Sequence, residues 1–146
     1  MAIFSVLVVD DEEDFLETLV NRLKKRKIDT VGVRSGEAAL EELRKRPFDV
    51  VLLDIKMPGG MDGIEALREI KKAQPLTEVL LLTGHASVET SIEGMKLGAF
   101  DYLLKPVKLE ELLTKVANAF EKKDSQEEKM RSAQIKKLLK YFMNLG

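Results

Sequence analysis

Three apolar runs and one less apolar strand in this chain each end in residues with chemistry to offer. Val6–Val9 runs into Asp10 and Asp11, Val50–Leu53 into Asp54, Val79–Leu82 into Thr83, and Phe100–Leu104 into Lys105. A short apolar run closed by turn residues reads as a strand buried on both faces, as in the centre of a parallel sheet. Open α/β sheets gather their ligand sites at the carboxyl edge of the strands. If these strands are parallel, three carboxylates, one hydroxyl and one ammonium share one edge. Taken singly, Asp54 reads as a turn cap, Thr83 as a helix cap and Lys105 as a solvated strand-end lysine. The chemistry lies in the set.

Three carboxylates close together repel one another unless a cation neutralises them, and an all-oxygen cluster suits Mg²⁺. Thr83 and Lys105 would be idle around a bare metal. Both are useful when a phosphoryl group arrives, because its oxygens need donors and positive charge. A carboxylate can then act as the nucleophile and form an aspartyl phosphate.

The elements that must position these residues alternate along the chain. After Asp10-Asp11 comes an amphipathic helix with Phe15, Leu16, Leu19, Val20 and Leu23 on its apolar stripe, acidic in its first turn and basic from Lys24 to Lys27. Ile28–Val33 alternates as an edge strand does, Ser35 caps a helix over Gly36–Arg46, and Pro47 stops it. Asp62-Gly63 opens a helix to about Lys72, Ala86–Leu97 is a fourth helix closed by Gly98, and Leu109–Phe120 is the fifth. Five strands alternating with five helices make βαβ units, hence a doubly wound five-stranded parallel sheet of the α/β class.

Composition narrows the functions further. At 146 residues, the chain holds one domain with a substantial core. It has no cysteine and a single histidine, His85, which excludes disulfides, thiolate chemistry and multi-histidine metal centres. No apolar run reaches the roughly 20 residues of a membrane helix. The amino terminus has no secretory pattern, which points to the cytoplasm. Residues 1–120 carry 17 Lys and Arg against 21 Asp and Glu, a balance of −4, so the globular part offers no nucleic-acid footprint; residues 121–146 are mildly basic at +3.

The motifs Val-Val-Asp10-Asp11-Glu12, Leu-Leu-Asp54-Ile-Lys-Met57-Pro58, Leu-Leu-Thr83-Gly-His-Ala and Gly98-Ala-Phe-Asp-Tyr102-Leu-Leu-Lys105-Pro106 together resemble the receiver domain of bacterial two-component response regulators, over about residues 4–121. That resemblance implies a flavodoxin-like strand order 2-1-3-4-5. It makes Asp54 the phosphoacceptor, charged by a sensor histidine kinase or a phosphotransfer protein. Mg²⁺ or Mn²⁺ would sit on Asp10, Asp11, Asp54 and the backbone carbonyl of Lys56, with Asp10 the less direct ligand. Thr83 would move to the phosphoryl group, Lys105 would pair with it, and Tyr102 would be the aromatic switch that follows Thr83. The Lys105-Pro106 bond resembles the family's cis peptide. Lys56 and His85 would flank the path of hydrolytic water and tune the lifetime of the phosphate. Lys56 shields the group, while His85 either crowds the path or acts as a base, and slow self-dephosphorylation is expected. Gly59-Gly60 stands where the family has one residue, which implies a longer, more flexible loop.

An enzyme reading stands beside this one. Phosphatases of the haloacid-dehalogenase type also use an aspartyl phosphate and Mg²⁺, but they carry Asp-x-Asp at the first strand end, where this chain reads Asp10-Asp11-Glu12. A degenerate receiver that only binds partners is opposed by the intact Asp54, Thr83 and Lys105. The expected division is a receiver over residues 1–122 and a linker or helix over 123–146 without an output domain, in a chain that stands alone or belongs to a longer regulator. The polar stretch 121–129 reads as a linker or a solvated continuation of the fifth helix. Ser125 with Glu128 fits a capping box, which predicts a fresh helix from about Gln126. Ile135, Leu138, Leu139, Phe142 and Met143 then form a stripe that needs a partner: the receiver itself, a second copy in a phosphorylation-dependent homodimer, or another protein.

Overall fold

The computed structural model describes residues 4–84 and 87–144. Its strands are β1 (Ser5–Val9), β2 (Asp29–Val33), β3 (Val50–Asp54), β4 (Glu78–Thr83) and β5 (Asp101–Leu104). All pairings are parallel, in the order β2-β1-β3-β4-β5 expected from the motifs. The helices are α1 (Glu13–Lys25), α2 (Gly36–Lys45), α3 (Gly63–Ala73), α4 (Val88–Lys96) and α5 (Leu109–Asn144).

Alternation along the central strands builds two cores. Leu7, Val9, Val51, Leu53, Val79 and Leu81 point to the face covered by α2 and α3. Val6, Val8, Val50, Leu52, Leu80 and Leu82 point to the other, where Leu16, Leu19 and Leu23 of α1 meet Leu112, Val116 and Ala119 of α5. Every residue of β3 and β4 is buried, as the unbroken apolar runs require.

Local chemistry sets the helix starts beside the site. The Ser35 hydroxyl accepts from the Ala38 amide, and the Asp62 carboxylate accepts from the Glu65 amide. Gly63 lets α3 start hard against the end of β3: a Cβ there would lie 2.5 Å from the Ile55 backbone. Gly59 and Gly60 adopt φ of 78° and 95°, a conformation glycine takes without steric cost. The Met61 amide donates to Glu37 of α2 at 3.4 Å, so the longer loop is tied back to the body.

The expectation of a fresh helix from Gln126 is overturned. A single helix of 36 residues runs from Leu109 to Asn144, and Ser125 lies inside it. Residues 121–129 contain neither glycine nor proline, and their Glu, Lys and Gln are good helix formers. Tertiary contacts hold the junction as well. Lys123 is only 7% exposed, and its ammonium lies 2.9 Å from both Asp49 and Glu127. Lys122 reaches the buried Glu78 at 3.4 Å. The polarity that resembles a linker is the polarity of a helix leaving the sheet through ion pairs.

Candidate functional site

β1, β3, β4 and β5 deliver Asp10, Asp54, Thr83 and Lys105 to one carboxyl edge, because register sets where each strand stops. Asp54 pairs with Leu82, Thr83 pairs with Leu104, and the Lys105 amide donates to the Thr83 carbonyl at 2.7 Å. Asp10 is fully buried and its carboxylate is held at both oxygens. Oδ1 accepts from the Glu12 amide at 2.9 Å, and Oδ2 takes the Lys105 ammonium at 2.7 Å. The turn that follows β1 is therefore fixed by the same side chain that faces the site.

Asp10, Asp11 and Asp54 each bring a carboxylate oxygen within 4.8 Å of the others. Asp54 is 5% exposed and has the Lys56 amide as a donor at 3.2 Å, with the Lys105 ammonium at 3.9 Å. Burial pushes its pKa from 3.8 to about 7, and the neighbouring Asp10 pushes in the same direction, against the pull of Lys105. Burial would lower the pKa of Lys105, but the hydrogen bond and charge of Asp10, with Asp54 and Glu12 behind it, raise it overall. The site thus holds more negative charge than it can ionise comfortably. A hard divalent cation fits such a donor set, since it would relieve the repulsion and restore the ionised Asp54.

Thr83 is fully buried, and its hydroxyl donates to the Gly84 carbonyl at 3.1 Å rather than to any site carboxylate. Tyr102 is half-buried and packs against the core on the α2–α3 face. Its carbonyl accepts from the Lys115 ammonium at 2.7 Å, which lies 5.7 Å from its ring centroid. Lys56 is exposed beside Asp54, and Lys105-Pro106 is cis, as expected. His85 lies outside the described residues.

Two neighbours were not singled out by sequence reasoning. The Lys105 ammonium sits 4.3 Å from the centroid of the Phe15 ring and 3.8 Å from Glu12. In the sequence Phe15 reads only as part of an apolar stripe. The signal that locates it is its place in the first turn of a helix that begins directly after Asp10-Asp11.

A doubly wound parallel sheet whose carboxyl edge carries an acidic triad, a buried hydroxyl and a lysine before a cis proline defines a class of phosphoryl-accepting domain. The model of the response regulator receiver domain matches residues 6–117, and the chain belongs to that family. It is 43% identical over 107 residues to the transcriptional regulatory protein ZraR of Escherichia coli O157:H7, covering 73% of this chain and 24% of that one. It is 41% identical over 113 residues to the response regulator protein PilR of Pseudomonas aeruginosa, covering 77% and 25%. The chain thus spans about a quarter of the length of these curated relatives. Among solved structures, a response regulator receiver domain protein from Clostridium thermocellum superposes with a TM-score of 0.80 at 35% identity, covering 86% of this chain and 99% of that one. NtrX from Brucella abortus superposes at 0.83 with 32% identity, covering 90% and 29%. Receivers of this family accept a phosphoryl group and switch conformation to control a partner. Among the described residues no helix is long and apolar enough to cross a membrane.

Proposed function

We propose that Asp54 is the phosphoacceptor and takes its phosphoryl group from a sensor histidine kinase or a phosphotransfer protein. The observation that carries this reading is the buried Asp54 carboxylate, set within 4.8 Å of Asp10 and Asp11 oxygens and 3.9 Å from the Lys105 ammonium. Mg²⁺ or Mn²⁺ would be held by Asp10, Asp11, Asp54 and the Lys56 carbonyl. When bound, it supplies positive charge that keeps Asp54 ionised and neutralises the phosphoryl oxygens.

An ionised Asp54 oxygen attacks phosphorus in line; the bond to the donor's nitrogen or oxygen breaks, and its electron pair leaves with the donor. Lys105, already beside Asp54, turns from Asp10 toward a phosphoryl oxygen. The Thr83 hydroxyl leaves the Gly84 carbonyl for another, and Tyr102 follows into the space vacated. The added charge of roughly −1.5 to −2 and three acceptor oxygens give Thr83 and Lys105 a reason to move.

The chemistry ends at this stoichiometric transfer. No sustained phosphatase turnover is expected, because the acidic pair is adjacent rather than spaced as Asp-x-Asp. The receiver works in the cytoplasm, where a kinase with access to ATP supplies it, and contacts neither membrane nor nucleic acid itself. The exposed stripe of α5, with Ile135, Leu138, Leu139 and Phe142 each more than half exposed, pairs with a second copy when Asp54 is phosphorylated. Acetyl phosphate with Mg²⁺ should add one phosphoryl group per chain, and chelation or Asp54→Asn should abolish it. Undiminished labelling of Asp54→Asn in intact mass would sink the assignment.

A further inference from the structure

We infer that Phe15 is a positioning residue for phosphoryl transfer, its ring face holding the Lys105 ammonium over the acidic site. The inference rests on the reading of Asp54 as phosphoacceptor. Among the described residues the charged end of Lys105 has Asp10 at 2.7 Å, Glu12 at 3.8 Å, Asp54 at 3.9 Å and the Phe15 ring centroid at 4.3 Å. Of these, Asp10 is the close hydrogen-bond partner. Glu12 has 68% of its side chain exposed and offers the ammonium a route out toward solvent.

The ring opposes that route without competing for a proton. An aromatic face attracts a cation through its quadrupole, yet supplies no lone pair that the ammonium must later give up. A carboxylate or hydroxyl in its place would hold Lys105 in a fixed hydrogen bond. An aliphatic side chain would only desolvate the charge. Phe15 therefore keeps the ammonium inside the site and leaves it able to exchange Asp10 for an incoming phosphoryl oxygen. The fold supports the ring in this role. Phe15 is half-buried in the first turn of α1 and lines an apolar groove with Leu19, Val107, Leu109 and Leu112, between α1 and the segment just after Lys105-Pro106. The same ring thus takes part in core packing and in the contact with the charge.

Ordinary truncation would mix these two functions, so the test alters the quadrupole at nearly constant shape. Phenylalanine with one, two and three ring fluorines is placed at position 15 of the full chain, and the rate of Asp54 phosphorylation by acetyl phosphate is followed with Mg²⁺. The rate should fall stepwise with each fluorine, by about five-fold across the series. Phe15→Leu should fall as far, while Phe15→Trp should restore the rate. As a readout independent of transfer, the Lys105 Cε protons should be shifted upfield by the ring current in wild type and lose that shift in Phe15→Leu. Equal rates across a fluorinated series that is otherwise fully labelled would overturn the inference and leave the site reading intact. Failure of the wild-type chain to be labelled would overturn the site reading, and this inference with it.

Discussion

Asp54 combines burial with a neighbouring carboxylate, so its protonation is linked to folding. In the unfolded chain it ionises near 3.8; in the fold, without a cation, near 7. Below the lower value both states hold the proton and nothing is lost. As pH rises through the upper value the fold bears the full cost of an ionised Asp54, up to about 4 kcal/mol. In EDTA, Asp54→Asn should therefore be more stable than wild type at pH 8 and equal to it near pH 4, as read by urea denaturation. A wild-type advantage at pH 8 would mean that Asp54 is not strained in this way. Lys56, exposed two positions after Asp54, is expected to cover the hydrolytic path with its stem and charge. Lys56→Asn should shorten the lifetime of the phosphorylated protein several-fold, measured by decay of the mass-shifted species. Asp54 could be found from sequence because it closes an apolar run, and Lys56 because the family resemblance points to the second position after it. The place of Phe15 in the first turn after Asp10-Asp11 sets it near the site, but its contact was not legible, because an aromatic on a helix stripe looks the same whether it meets leucine or an ammonium.

At the level of elements, β3 and β4 were legible from four-residue apolar runs bounded by turn residues and alternating with helical patterns, as the centre of a parallel sheet requires. Their ends then placed Asp54 and Thr83 without further information. The tail was legible only as one of two alternatives: the solvated continuation of the fifth helix is what forms, and the fresh helix from Gln126 is not. Its polar residues 121–129 carry no packing pattern, and the contact that makes Lys123 part of the body is with Asp49, far away in the chain. Spin labels at Glu110 and Lys140, both exposed on α5, should report one narrow distance near 45 Å at 1.5 Å per residue. A broad or much shorter distribution would restore a break near Ser125. The tight seat of α3 gives a second check. Gly63→Ala must push the helix off Ile55 and should cost about 1–3 kcal/mol in thermal or urea unfolding.

For the whole molecule, α5 runs on past the sheet as a rod whose outer turns are exposed among the described residues. Beyond Lys123 every large apolar side chain of α5 is at least half exposed, from Met130 at 53% to Met143 at 80%. Exposure on this scale marks a contact surface. The phosphorylated state is expected to supply the partner as a second copy. Sedimentation of the full chain, with and without beryllofluoride, should show a dimer only with the phosphate mimic, while residues 1–122 stay monomeric throughout. Identical behaviour of the two lengths would remove the part of α5 beyond residue 122 from signalling.

The central claim is a covalent bond at one carboxylate, and that bond can be trapped. Borohydride reduces an acyl phosphate to the alcohol, so an aspartyl phosphate becomes homoserine at the modified position. The chain is treated with acetyl phosphate and Mg²⁺, reduced, digested and sequenced by mass spectrometry. Homoserine at position 54 alone is the predicted result; homoserine at position 10 or 11, or a phosphorylated chain with none, would contradict it.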